Sequence, residues 1–220
     1  MKKTQKNQDL FSSIQRALVV CPHTDDEFGC AGTILRMVEA GVEVRYLAMS
    51  RCEESVPAGF PADVLEGECR RCAVSLGIAP DHIEILDFKV RYFPEYRQPI
   101  LEEFVRRNRE FKPQLVLLPS TYDTHQDHAT VATEGFRAFK SASILGYELP
   151  QNLILFSNSA FVSLTGRHLT AKLKALANYK SQGFRKYATE EFIRGLAKVR
   201  GVQAKVDYAE AFELVRLIIP

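Results

Sequence analysis

No stretch of this 220-residue chain is both long and apolar enough to cross a bilayer. The N-terminus, MKKTQKNQDLF, follows its lysines with polar residues where a secretory leader needs an apolar core, so no leader is expected there. Neither charge sign is in excess. The 29 Lys and Arg against 27 Asp and Glu leave a net +2, too little to argue for a nucleic-acid partner. The short basic pairs Arg70-Arg71 and Arg106-Arg107 read as solvated helix faces. There is no internal repeat and no low-complexity segment. Cysteine is sparse and odd in number, at 21, 30, 52, 69 and 72. Cys69-x-x-Cys72 has no second pair at zinc-finger spacing and falls in a helical stretch rather than after a strand, so both read as small helix residues. That usage suits a reducing, cytoplasmic setting.

What is present is a core-forming composition, 46% hydrophobic, in a length that favours one domain over 1–220 with 1–14 as a loose arm. Apolar spacing predicts a strand over 16–21, a helix over 31–40 (Ile34, Leu35 and Val38 on one face, Gly41 as stop) and a strand over 43–49. A loop over 50–61 leads to a helix over 63–76, with Asp63 as N-cap and Gly77 as terminator. A strand over 83–88, an aromatic and charged loop over 89–97 and an amphipathic helix over 99–111 follow. Then come a strand over 114–118, a polar loop, and a helix opening at Asp127 or His128 and running to about 139. A fifth strand is expected over 152–156, and from Thr170 onward mostly helix with a short strand near Val206 or Leu214. The alternation implies an α/β fold: a Rossmann-like, mainly parallel sheet with helices on both faces and a C-terminal helical elaboration.

Two polar clusters stand out. His23, Asp25, Asp26 and Glu27 follow the first strand; Asp123-Thr-His125-Gln-Asp127-His128 follows the fourth. Parallel strands end on one side, so both clusters belong to the same sheet edge. Taken singly, each has a bland reading. His23 alone is a loop histidine, Asp25-Asp26 alone could cap the next helix, and HxxH often only decorates a helix start. Together they offer imidazoles and carboxylates from two loops, and zinc held by two His and one carboxylate keeps a position open for water, which is a hydrolase arrangement. His125 and His128 are three apart, close to one helical turn, so both can face one cavity.

The stretch PHTDDEFGCAGTI resembles the first signature of the PIG-L/LmbE-like metal-dependent N-deacetylases, usually written HPDDE, and DTHQDH resembles their second, usually ending HPDH. KLKALANYKSQ at 172–182, Arg200-Gly201 and Tyr208-Ala-Glu-Ala-Phe212 resemble the family's closing segment, so the likeness spans nearly the whole chain. It implies a zinc-dependent hydrolase that removes an acetyl group from an N-acetylated amino sugar or its conjugate. His23, Asp26 and His128 would be the metal ligands, Asp25 the general base, and His125 the stabiliser of the oxyanion and proton donor to the amine. Glu27 and Asp127 are candidates to orient ligand or catalytic imidazoles. The ligand set also accepts Fe²⁺, Mn²⁺ or Co²⁺. The alternatives are an amidase on a non-sugar N-acyl compound and a non-catalytic sugar- or nucleotide-binding module; retention of Asp25 argues against the latter. The partner is a small-molecule amino-sugar conjugate, and a homo-oligomer is left open.

The chain departs from the pattern at Thr24 and Gln126, which stand where proline is usual, at Leu65, and in Ser50-Arg51-Cys52-Glu53-Glu54-Ser55. The last two shape substrate binding, so a particular family substrate is not carried over. Arg51, Arg91, Tyr92 and Arg97 are the substrate-binding candidates, beside Lys89, Phe93 and Tyr96. As a set they suit a sugar ring with an anionic substituent.

Overall fold

The computed structural model describes residues 10–219. Its strands are β1 (Arg16–Cys21), β2 (Glu43–Ala48), β3 (Ile83–Ile85), β4 (Leu115–Pro119), β5 (Ser143–Tyr147), β6 (Ala160–Leu164) and β7 (Tyr208–Arg216). The helices are α1 (Ala31–Glu39), α2 (Val64–Ser75), α3 (Arg97–Phe111), α4 (Gln126–Ala138), α5 (Gly166–Leu176) and α6 (Glu190–Ala204). All seven strands share one sheet, in the order β3-β2-β1-β4-β5-β7-β6. The first five are parallel, and β7 runs antiparallel between β5 and β6.

The central strand shows why. Ala17-Leu18-Val19-Val20-Cys21 is apolar without alternation because helices cover both faces. Ala17, Val19 and Cys21 pack with Ile34 and Met37 of α1, Cys69 of α2 and Leu169 of α5. Leu18 and Val20 pack with Phe104 of α3 and Val131 of α4. Cys69 and Cys72 are buried helix residues, and all five cysteines are free. No helix among the described residues is long and apolar enough to cross a membrane.

Three expectations need correction. Of the expected arm, residues 1–9 lie outside the described residues; Leu10–Ser13 form a 3₁₀ turn, and Phe11 is buried in the core under the Arg36 guanidinium, 5.6 Å from its ring centre. The segment 152–156 is not a strand. Ile154 and Leu155 are 85% and 69% exposed, and only an isolated bridge joins Leu153 to Asp123. The sheet position belongs to β5, whose Gly146 weakens its strand signal. The glycine allows a tight approach there, since a Cβ would lie 3.0 Å from Ser120 Cα. From Thr170 onward the chain is mostly helical as expected, but the strand near Leu214 is not short: β7 runs nine residues, and with β6 it extends the sheet.

The chain leaves β1 toward β2 and β3 on one side and returns to β4 and β5 on the other. The crevice beyond the C-terminal ends of β1 and β4 is therefore the switch point where such sheets bind ligands. The loop after β1 is braced from behind. Helix α1 lacks a side-chain cap of its own, and the buried Glu210 carboxylate of β7 supplies one. It accepts from Gly32 N at 2.8 Å, Thr33 N at 2.6 Å and Thr33 Oγ1 at 2.6 Å. The buried Lys172 ammonium neutralises it at 2.7 Å and also donates to Phe28 O at 2.7 Å. A Cβ on residue 32 would sit 2.9 Å from Glu210 Oε1 and 2.6 Å from Leu164 Cδ1, so glycine is needed for the approach. Removing the ammonium leaves a buried carboxylate without a counter-charge. Lys172→Ala is expected to lower unfolding free energy by about 3–5 kcal/mol in urea titration; a loss under about 1 kcal/mol would show that the amide donors alone hold Glu210.

Candidate active site

The two clusters meet at the switch point. After β1 the backbone drops into a 3₁₀ turn, Asp26–Gly29, tied by His23 N donating to Asp26 Oδ2 at 2.7 Å. Asp25 stands at the N-cap of that turn but makes no side-chain cap bond, and it lines the cleft. After β4, His125 caps α4: its Nδ1 accepts from Asp127 N at 3.2 Å. His128 follows in the first turn and is buried.

The hydrogen bonds assign the imidazole protons. His23 Nε2 lies 3.0 Å from Asp127 Oδ2, and His128 Nδ1 lies 2.8 Å from Asp123 Oδ2. Carboxylates only accept, so the protons sit on those two nitrogens. The other two, His23 Nδ1 and His128 Nε2, are then bare lone pairs, and they face each other at 3.0 Å. Asp26 Oδ2 is 3.6 Å from the first and 3.4 Å from the second. Three acceptors thus converge with no proton among them. Ligand bonds of about 2.0–2.1 Å at tetrahedral angles place donor atoms about 3.3 Å apart, so the spacing fits a cation. His125 also lies close: it, His23 and His128 each offer a nitrogen within 4.8 Å of the others. However, the His125 Nδ1 lone pair already accepts the Asp127 amide, which leaves the proton on Nε2 as a donor rather than a ligand.

Environment tunes these groups. Burial pushes Asp127 up, but the hydrogen bonds from His23 and from the Arg91 and Phe93 amides outweigh it and hold the carboxyl below its ordinary range. Burial pushes Asp26 well up, a penalty that a bound cation would offset. Burial, with His128 and His23 adding to it, pushes His125 down to about 4.

The sequence candidates divide. His23, Asp25, Asp26, His125 and His128 line one cleft of about 250 Å³, and Asp127 holds His23 from behind. Glu27 lies elsewhere. It is fully buried, and its oxygens lie 2.9 Å from the Tyr46 hydroxyl and 2.6 Å from that of Tyr179, so it contacts phenols rather than imidazoles. Burial pushes it up to about 7. Of the four substrate candidates only Arg91 lines the cleft. Arg51 pairs with Glu66 at 3.6 Å, Arg97 pairs with buried Glu134 at 2.9 Å, and Tyr92 stacks under the Lys89 ammonium at 4.6 Å. Their place is taken by Gln151, Asn152, Gln182, Arg185 and Tyr187, which sequence spacing did not single out. The last three ride on a segment held by the buried Glu68, which accepts from Ser181 N at 3.0 Å and Ser181 Oγ at 2.5 Å. Asp123 was visible inside its motif, but its role as the partner of His128 needed the structure.

A family model described as PIG-L, GlcNAc-PI de-N-acetylase, matches residues 18–139, a span that holds both clusters. The chain belongs to this family. It is 25% identical to diacetylchitobiose deacetylase of Thermococcus kodakarensis over 236 residues, 96% of this chain and 86% of that protein. Its fold is similar to that of N,N'-diacetylchitobiose deacetylase from Pyrococcus horikoshii, solved with its inhibitor MPG. The TM-score is 0.77 at 22% identity, covering 94% of this chain and 85% of that one. It is also similar to GalB, the 4-carboxy-2-hydroxymuconate hydratase of Pseudomonas putida, with a TM-score of 0.73 at 19% identity, covering 94% and 98%. A hydratase on the same sheet means that fold alone does not decide the reaction.

If Asp123 and Asp127 fix the imidazole tautomers, Asp123→Ala and Asp127→Ala should each weaken metal binding by about 10- to 100-fold in chelator competition, with the fold intact by circular dichroism. Unchanged affinity in both variants would mean that the imidazoles orient themselves.

Proposed function

We propose that this member of the PIG-L family removes an acetyl group from an N-acetylated amino sugar or its conjugate, with His23, Asp26 and His128 holding a divalent ion. The observation that carries the reading is the pair of bare imidazole nitrogens at 3.0 Å with the Asp26 carboxylate beside them. Two lone pairs repel at that distance unless a cation lies among them. Zn²⁺ suits an N/N/O set, and Fe²⁺, Mn²⁺ or Co²⁺ also bind it. When bound, such an ion polarises a carbonyl oxygen and acidifies water.

The chain's own groups supply the rest. Asp25 lies on the cleft outside the converging acceptors, with the Tyr187 hydroxyl 3.4 Å from its Oδ2. It takes a proton from the attacking water as the water oxygen bonds to the amide carbon. His125 is neutral near pH 7, and its Nε2–H donates to the carbonyl oxygen as negative charge develops there. The C–N bond then breaks, acetate leaves, and the proton held by Asp25 passes to the departing amine. Cys21, Cys30, Cys52, Cys69 and Cys72 are all free and buried, which supports a reducing cytoplasm as the setting.

The division of labour between adjacent aspartates is testable. Asp26→Ala and His128→Ala should lose metal and turnover together. Asp25→Asn should keep the metal and lose about 10²–10⁴-fold in kcat. Metal content and acetate release from a panel of N-acetyl sugars and N-acetyl amino acids measure both, and an Asp25→Asn protein with near-normal kcat refutes the assignment. Acetate release confined to the amino acids would move the substrate out of the sugar class.

His125 is assigned to charge that develops only on the way to the tetrahedral state. His125→Ala should therefore lower kcat far more than it raises KM. An effect confined to KM would make it a ground-state contact instead.

A further inference from the structure

We propose that a second copy of this chain packs against α6, with the two α6 helices antiparallel about a two-fold axis at Val199. Helix α6 turns Ile193, Ala197 and Gly201 inward, where they are buried. The opposite face of such a helix is ordinarily polar. Here it carries Phe192, Gly195, Val199 and Val202, and Val206 continues the stripe just past the Lys205 cap. All five are exposed, Val199 and Val202 at 54% and 66%. One exposed valine is ordinary, but apolar positions in steps of three and four along one face make a seam that another helix fills. Valine and glycine are also weak helix formers, so local propensity gives no reason for them. A Cβ on Gly195 would meet nothing within 4 Å. Packing inside the chain therefore does not ask for glycine there, whereas a helix laid against it comes closer for the lack of a side chain.

The charges at the helix ends favour this chain as its own partner. Glu190 and Glu191 stand at the N-terminus of α6, and Lys205 caps its C-terminus. Glu190 pairs with Arg194 at 2.6 Å, but Glu191 and Lys205 make no ion pair among the described residues. In an antiparallel pair each Glu191 comes beside Lys205 of the other copy, twice over by symmetry. Phe192 then meets Val206, and Val202 fits over Gly195. Lys198, near the axis, is turned to its own chain: its Nζ donates to Asp207 O at 3.4 Å and lies 5.5 Å from the Tyr208 ring centre. A narrow seam with carboxylates at one end does not suit an anionic lipid surface, which takes an apolar face edged with cations. A stable interface buries about 1,200–2,000 Å² in total, more than a single helix seam supplies. The rest lies beside it. Asn158 Nδ2 donates to Gln203 Oε1 at 3.0 Å, and the Arg200 guanidinium lies 5.7 Å from the Phe156 ring centre. Those contacts hold the segment 153–158 along the flank of α6, and it presents the strongly exposed Ile154 and Leu155. Asn152, just before it, lines the cleft, so the segment joins this face to the outer wall of the site.

Sedimentation equilibrium of the full chain over about 1–100 μM measures the assembly. An even-numbered assembly is expected, a dimer in the simplest case. Val199→Glu should split it in half, raising the Kd of that contact at least about a hundredfold, because two carboxylates would be buried face to face at the axis. Val199 is exposed, so the variant should keep the wild-type circular dichroism spectrum. Glu191→Lys and Lys205→Glu should each weaken the contact, and the two together should restore it. Crosslinking tests the direction of the helices. The five native cysteines are buried, so Val199→Cys adds an exposed thiol of its own. Its oxidation should link two copies, and Glu190→Cys, far from the axis, should not. A monomer over the whole range, an assembly that Val199→Glu leaves intact, or linkage through Glu190→Cys but not Val199→Cys overturns the proposal. So does a monomer that sediments with vesicles of phosphatidylglycerol and phosphatidylcholine and is released from them by Val199→Glu, which would give this face to a membrane.

Discussion

Two carboxylates of β7, Glu210 and Glu213, are what the site depends on. Glu210 caps α1 and so fixes where the first loop ends, with Lys172 cancelling its charge. Three residues on, Glu213 accepts from Ser120 Oγ at 2.8 Å, Thr121 N at 2.7 Å and Thr121 Oγ1 at 2.5 Å, which fixes the second loop just before Asp123. One antiparallel strand therefore grips both metal-site loops. A carboxylate is costly to bury, and buried Glu210 is matched by several donors that would otherwise lack partners; half-buried Glu213 is matched in the same way. β7 follows α6 and lies antiparallel to both β5 and β6.

Within that frame the metal centre is a problem of tautomers. Neutral imidazole can place its one proton on either nitrogen, and a metal needs the other one bare. Asp127 and Asp123 remove the choice. Asp127 is itself held by two backbone amides, from Arg91 at 2.6 Å and Phe93 at 3.2 Å, so the loop after β3 also bears on His23. Behind the ligands, Tyr46 and Tyr179 reach both Glu27 and the Thr24 carbonyl, which anchors the turn that carries Asp25 and Asp26. The three acidic residues of the first signature thus split three ways: Asp25 faces the cleft, Asp26 faces the imidazoles, and Glu27 faces the core.

How much of this was legible follows from range. β1 is written in Ala17 to Cys21 because complete burial leaves an unbroken apolar run. His23 to Glu27 and Asp123 to His128 are each contiguous, and a parallel sheet brings their ends together without further information. β5 was hidden because its glycine answers to Ser120, a residue on another element. The apolar run over 152–156 misled because Ile154 and Leu155 stay on the surface, where periodicity has no face to report. Arg51 and Arg97 were placed correctly on the sheet's C-terminal side, yet Glu66 and Glu134 occupy them, and ion pairing across elements leaves no local pattern.

Chemistry and specificity therefore come from different stretches of the chain. The proposed ligands, Asp25 and His125 sit on the loops after β1 and β4, inside the span that the family model matches. Gln182, Arg185 and Tyr187 come from beyond it, on a segment joined to the rest through Glu68–Ser181 and through Tyr179 to Thr24 and Glu27. That segment's attachment is made of backbone-directed and buried contacts, and of its cleft-lining side chains Tyr187 also reaches the first loop, at Asp25 and Phe28. Residues 182 and 185 can therefore change without disturbing the imidazole tautomers or the caps from β7. A fold arranged in this way can keep one hydrolytic centre while the outer wall is altered for a different aglycone. The family motif accordingly identifies the reaction with more force than it identifies the substrate, which has to be read from the outer wall of the cleft.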